Sequence, residues 1–263
     1  MTDGFYTLIT GASKGIGKAL ATEMASRGHN LILSSLPGER LDYLCASLAD
    51  KYNIKARCFE IDLTSSDGPL NLFMAAENNG LMVNILINNA GTGIEGPLES
   101  YTQKEIDTII FLNIRALTLL TYFFAPELKK TSSYILNISS FGCYVPAAYK
   151  SVYLATKTYI YYFTRALASE FRGSSVKICM FIPNAVRTNE KVITRIEKTG
   201  WAAKASLMEP EEIASLGIKG MFKGRTAIIP GRLNKFIFSI GLFLPEGIIM
   251  AVLRNMFRRE KAL

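Results

Sequence analysis

Short apolar runs rich in β-branched and aliphatic residues alternate along most of this chain with longer stretches at helical spacing, and that alternation restricts the fold most. The runs fall at Tyr6–Thr10, Asn30–Ser34, Lys55–Ile61, Ile85–Asn88, Tyr134–Ser139, Val176–Ile182 and Thr226–Ile229. Strands that are apolar almost throughout and joined by long crossovers belong to a parallel sheet covered by helices on both faces. A length of 263 residues with 49% apolar content is enough to fill the core of such a sheet. No repeat or low-complexity linker interrupts the pattern, so one α/β domain is predicted over residues 1–230, followed by a different segment at 231–263.

Composition narrows the chemistry. The cysteines stand at 45, 58, 143 and 179, too far apart for a zinc ligand pair or a CxxC redox motif, and read as small buried apolar residues in a reducing compartment. The single histidine, His29, sits in a turn-like Arg27-Gly28-His29-Asn30 setting, which argues against a histidine-based hydrolase and against a metal site. Of the 30 Lys and Arg, nine fall in residues 219–263 against two acidic residues there, a net of +7, so almost all of the excess positive charge of +8 is C-terminal. Thr2-Asp3-Gly4 and a short apolar stretch do not resemble a secretory signal, and a cytoplasmic location is the expectation.

The first run leads into Thr10-Gly11-Ala12-Ser13-Lys14-Gly15-Ile16-Gly17 and then a helical stretch. Glycines there permit a tight turn and close backbone approach to a pyrophosphate, while a helix N-terminus offers free N–H groups to the anion. Further along, Tyr153 and Lys157 lie four apart, on one face of a helix. Asp62-Leu63 follows the third run, Asn88-Asn89-Ala90-Gly91 the fourth, Asn113 the next helix, and Asn137-Ile138-Ser139-Ser140 the fifth, with Ser140 thirteen residues before Tyr153.

Taken together, these motifs resemble those of the short-chain dehydrogenase/reductase family, in order and spacing, over roughly residues 4–230. The resemblance implies a Rossmann-like, doubly wound parallel sheet in a single domain; the C-terminal apolar and basic helical extension is a departure that the family's core motifs do not explain. It implies catalysis by Tyr153 as proton donor, Lys157 as the cation stabilising its phenolate, Ser140 as hydrogen-bond donor to the substrate oxygen, and Asn113 in a proton relay behind Lys157. A nicotinamide cofactor would lie on Gly11, Ser13, Lys14, Gly15, Ile16 and Gly17, on Asp62 and Leu63, on Asn89, Ala90 and Gly91, on Tyr153 and Lys157, and on Pro183 and Thr188.

Lys14 resembles the cation that NADP(H)-preferring relatives direct at the 2′-phosphate, whereas the second strand ends Ser34-Ser35-Leu36 with neither an acid nor an arginine. NADP(H) is therefore favoured over NAD(H). Pro183-Asn184 replaces the family's Pro-Gly, and asparagine tolerates the required turn. Residues 188–209, with Val192, Ile193, Ile196, Trp201 and Leu207, correspond to a substrate lid in similar enzymes or to a helix packed on the core.

The implied substrate is a lipophilic ketone or the matching alcohol, such as a 3-oxoacyl thioester, a 3-keto lipid or a steroid; the other class is a non-catalytic nucleotide sensor or membrane binder on the same fold. A homodimer or homotetramer is implied, with the aromatics Tyr159, Tyr161, Tyr162 and Phe163 in core and interface. Phe236–Leu253, broken by Pro245-Glu246-Gly247 and followed by basic residues, suits two short helices on the inner face of a membrane, packing on the protein itself, or attraction to an acidic carrier. Nucleic acid is not expected.

Overall fold

The computed structural model describes residues 4–184, 186–187, 207–231, 234–236, 238, 247 and 250. The seven expected strands all form: β1 (Phe5–Thr10), β2 (Asn30–Ser35), β3 (Ala56–Glu60), β4 (Met82–Asn88), β5 (Ser133–Ile138), β6 (Val176–Phe181) and β7 (Ala227–Ile228). They build one sheet in the order β3-β2-β1-β4-β5-β6-β7, and every pairing is parallel. Among the described residues the α-helices with assigned bounds are α1 (Gly15–Ser26), α2 (Leu41–Tyr52), α3 (Gly68–Asn78), α4 (Gln103–Ile110), α5 (Leu117–Leu128), α6 (Ser151–Glu170) and α7 (Pro210–Phe222). This is the doubly wound, Rossmann-like architecture.

Period-two alternation distributes each strand between two cores. Ile9, Leu31, Leu33, Ile87 and Phe181 face α1, α2 and α7, whereas Leu8, Ile32, Leu86, Ile135 and Ile178 face α3, α5 and α6. Close packing on the first face needs small residues on α7, where a side chain at Gly220 would sit 2.7 Å from Ile228 Cγ1. Among the described residues one helical stretch, Gln103–Leu128, is long and apolar enough to cross a membrane. Here it covers the sheet, with Ala116, Leu120, Phe124 and Leu128 buried in the second core. A π-helical turn at Phe111–Ala116 interrupts it, and such turns within α-helices often mark functional positions.

The second core also contains a buried polar ladder. Asn88 Nδ2 donates to Asn137 Oδ1 at 2.9 Å and to Thr121 Oγ1 at 3.1 Å, and Asn137 Nδ2 donates to Thr164 Oγ1 at 2.9 Å. The ladder ties β4 and β5 to α5 and α6, so the sheet sets the position of α6, which carries Tyr153 and Lys157, and of α5, which continues from the π-helical turn that carries Asn113. Buried partners of this kind stabilise only while all are present, because a lost partner leaves the others desolvated. Asn137→Leu should lower the unfolding free energy by about 1–3 kcal/mol, while Asn79→Leu, which removes an exposed bond to Ala75 O, should cost less than about 0.5 kcal/mol. Denaturant unfolding of the two variants checks this, and equal losses would deny the ladder its role.

Candidate active site

In a parallel sheet all carboxyl ends lie on one edge, and a crevice opens where neighbouring strands send their crossovers to opposite faces. That point lies between β1 and β4. Asn89, just past β4, donates through Nδ2 to Thr10 O at 2.8 Å and Gly11 O at 3.1 Å, and the Asn89 and Ala90 N–H groups donate to Thr10 Oγ1 at 3.1 and 3.0 Å. Asn89 and Ala90 therefore hold the glycine-rich loop.

The loop itself admits no side chain at its key position. A Cβ on Gly17 would lie 2.0 Å from Gly11 O, and Gly11 and Gly15 adopt φ of 64° and 56°. Ser13 and Lys14 precede α1, whose N-cap, Lys14, provides no side-chain cap. The helix thus presents its first N–H groups, Ile16 and Gly17 among them, to an anion. These features fit the pyrophosphate of a dinucleotide.

At the other end of the crevice, Lys157 is 5% exposed and its Nζ donates to Ile138 O at 3.1 Å. Burial pushes its pKa down to about 8 from the ordinary 10.5. Nζ lies 5.8 Å from the centroid of the Tyr153 ring, one turn earlier on α6. Asn113, in the π-helical turn, accepts from Thr92 N at 2.9 Å and donates to Thr92 O and to Thr156 Oγ1, each at 2.9 Å, so it joins the loop after β4 to α6.

That loop is built around glycine. A Cβ on Gly91 would approach Asn113 Oδ1 to 3.2 Å and Lys157 Nζ to 3.4 Å, and one on Gly93 would approach Tyr153 Cδ2 to 2.8 Å. Asn113, Tyr153 and Lys157 therefore converge on one short backbone segment. Ser140 follows β5, half-buried in extended conformation, at the start of the turn Phe141–Tyr144; its neighbour Ser139 donates to Lys157 O at 3.0 Å.

Other expected residues fall into place or outside it. Asp62 turns its carboxylate to its own loop, accepting from Thr64 N and Oγ1 at 2.8 and 2.7 Å, and Leu63 is buried in the second core. Pro183 O accepts from Phe141 N at 2.9 Å, joining the end of β6 to the Ser140 turn. Thr188 and 188–206 of the expected lid lie outside the described residues. The ends of that segment meet through the Val186–Met208 bridge and an Arg187–Glu209 ion pair of 2.9 Å. His29 stacks on Phe222, away from the crevice, with its pKa lowered by burial.

Several contributors were not read from the sequence: Thr92 and Thr156 as partners of Asn113, Gly93 under Tyr153, and Glu39 beside Lys14. Gly93 carried the one local signal, a glycine two positions beyond Gly91 in an already glycine-marked loop. Asn184 is also explained: its Nδ2 donates to Asn234 Oδ1 at 3.0 Å, and the buried Asn234 donates to Pro230 O at 3.0 Å. Phe238 then packs on Tyr144 and Phe141, with centroids 4.3 and 6.0 Å apart. The beginning of the C-terminal segment, expected as a separate extension, is thereby fastened to the turn after Ser140.

Comparison with known proteins gives the chain its relatives. Residues 6–198 match the family model described as short chain dehydrogenase. Very-long-chain 3-oxoacyl-CoA reductases from Anas platyrhynchos and Homo sapiens are each 27% identical, over 98% of this chain and 82% and 81% of theirs. Among solved structures, a short-chain dehydrogenase from Sphingobium yanoikuyae in complex with NADPH superposes with a TM-score of 0.78 at 29% identity, covering 93% of this chain and 95% of that one. A bulky-bulky ketone specific alcohol dehydrogenase from Comamonas testosteroni gives 0.75 at 27% identity, with coverages of 90% and 93%.

Lys157 makes the site's electrostatics measurable without substrate. With a folded-state pKa of about 8 against 10.5, the unfolded chain binds the extra proton between those values, so stability rises with pH across that window. Lys157→Met should abolish the rise and stabilise the protein at neutral pH by about 1–3 kcal/mol. Denaturant unfolding at a series of pH values tests this, and an undiminished rise in the variant would place the ionisation elsewhere.

Proposed function

Because the chain belongs to the short-chain dehydrogenase/reductase family, and is thus an NAD(P)-dependent oxidoreductase, we propose that it reduces the ketone of a lipophilic substrate, with a 3-oxoacyl thioester the best-supported class, using NADP(H). The observation that carries this reading is the buried Lys157 ammonium 5.8 Å from the Tyr153 ring centroid, with Lys157 and Asn113 both meeting the backbone at Gly91.

When bound, the nicotinamide cofactor supplies or accepts the hydride. The glycine-rich loop, Asn89–Gly91, Lys14 and Lys157 are the groups that would hold it. Tyr153 donates a proton to the carbonyl oxygen as the ketone is reduced, and the neighbouring cation stabilises the phenolate left behind. Because Lys157 is buried, that attraction is stronger than it would be in water. The Ser140 hydroxyl donates to the same oxygen as charge develops on it. Asn113, anchored by Thr92 and Thr156, orders the proton path behind Lys157.

Support for a lipophilic substrate comes from the names of the 3-oxoacyl-CoA reductases quoted above and from the apolar surroundings of the turn after Ser140, where Phe141, Tyr144 and Phe238 pack on one another. Exposed Phe111 and Tyr122 on the helical stretch 103–128, and Tyr162 on α6, suit a homo-oligomer. The basic residues near the C-terminus suit contact with an anionic membrane surface.

NADPH oxidation with a panel of 3-oxoacyl thioesters, sphingoid ketones and steroids tests the substrate class, and turnover confined to steroids would overturn the thioester assignment. Tyr153→Phe should bind NADPH nearly as the parent does while turnover falls by about 10² or more. Turnover close to that of the parent would remove Tyr153 from the proton transfer.

A further inference from the structure

Although β2 ends without an acidic side chain, the fold brings a carboxylate to the same corner. Glu39, in the turn between β2 and α2, accepts from Lys14 Nζ at 2.6 Å, and Ser13 Oγ donates to its other oxygen. The turn is pinned from the opposite side. Glu60, the last residue of β3, accepts from Gly38 N at 2.8 Å and from Leu41 N at 3.0 Å. Between them Arg40 adopts a left-handed φ of 55°, with its guanidinium 4.4 Å from the Tyr43 ring centroid. Glu39 is accordingly a held side chain, 23% exposed, whereas the Lys14 side chain is 81% exposed and able to leave.

A dinucleotide whose pyrophosphate lies over the N-terminus of α1 places its adenosine ribose toward the end of β2. Ser13, Lys14 and Glu39 meet at that end of the crevice. The ribose of NAD(H) carries a 2′-hydroxyl there, a neutral group to which a carboxylate is an acceptor. NADP(H) carries a phosphate near −2, for which the same carboxylate is a like charge and a rival for the single lysine. The bonds from Lys14 and Ser13 hold the Glu39 carboxyl below the ordinary carboxylate range, so it is ionised at neutral pH.

We propose that Glu39 is a specificity-determining residue at the adenosine end, whose carboxylate competes with the 2′-phosphate for Lys14 and so holds down the preference for NADP(H) over NAD(H). The proposal deepens the functional reading above and rests on its placement of the 2′-phosphate at Lys14. It assigns opposite signs to two residues already bonded to each other: Lys14 raises the preference and Glu39 lowers it.

The test measures binding, independent of turnover. The parent protein, Glu39→Gln, Lys14→Ala and the double variant are titrated with NADPH and NADH by fluorescence, and with 2′,5′-ADP and 5′-AMP by calorimetry. Glu39→Gln should tighten NADPH and 2′,5′-ADP by about tenfold, the scale of one charge-assisted hydrogen bond, with NADH and 5′-AMP within about twofold. In the Lys14→Ala background the gain should shrink several-fold. If Glu39→Gln leaves the NADPH to NADH ratio within twofold of the parent, or lowers it, while Lys14→Ala weakens NADPH selectively, the Glu39 assignment is overturned and the placement of the phosphate stands. If Lys14→Ala weakens both cofactors equally or neither, the placement itself fails.

Discussion

The carboxyl ends of β1 and β4 are held together by the amide of Asn89 and the hydroxyl of Thr10. These two strands must diverge here, since their crossovers leave for opposite faces of the sheet. Without a bridge, the Thr10 and Gly11 carbonyls would face an open gap. The side chain of Asn89 closes it, and in doing so fixes where the glycine-rich loop turns, where α1 begins and where the loop containing Gly91 and Gly93 passes over α6. Asn113 repeats the device one layer further along, from a helix rather than a strand.

The two ends of the crevice handle positive charge in opposite ways. Lys157 is buried, held by a backbone carbonyl, and its charge costs folding free energy. In return its field acts at low dielectric on the phenol beside it. Lys14 is exposed and paired to a carboxylate, where water screens the interaction and the pair is readily exchanged for another partner. One end is built for a fixed field, the other for an exchangeable contact.

Much of this was legible in the sequence. The seven strands and their parallel pairing follow from apolar runs separated by helical stretches, and Asn113, Tyr153, Lys157 and the glycine-rich loop follow from motifs in order. Contacts closed by chain segments far apart in sequence were not legible. Glu39 meets Lys14 only because Glu60, from the neighbouring strand, fastens the intervening turn. Asn184 was expected to do no more than survive a turn usually made by glycine, yet its amide reaches Asn234, fifty positions away. Hydrogen bonds of that reach leave no periodicity in the chain, because each depends on the fold that it helps to complete.

The strand order has a consequence for how the chain is made. Of the strands of this sheet β1 is made first, and it becomes the centre of the sheet's N-terminal half, flanked by β2 and β4. Its β2 edge can be covered once residue 35 exists, but the other remains open until Asn88 has left the ribosome. During that interval Tyr6, Leu8 and Ile9 lie on a strand with one unpaired edge, the state in which sheets recruit the wrong neighbour. No hairpin shortens the wait, since every pairing is parallel. Chaperone binding at this stage, or slow translation between β2 and β4, would thus act on β1 more than on any other strand.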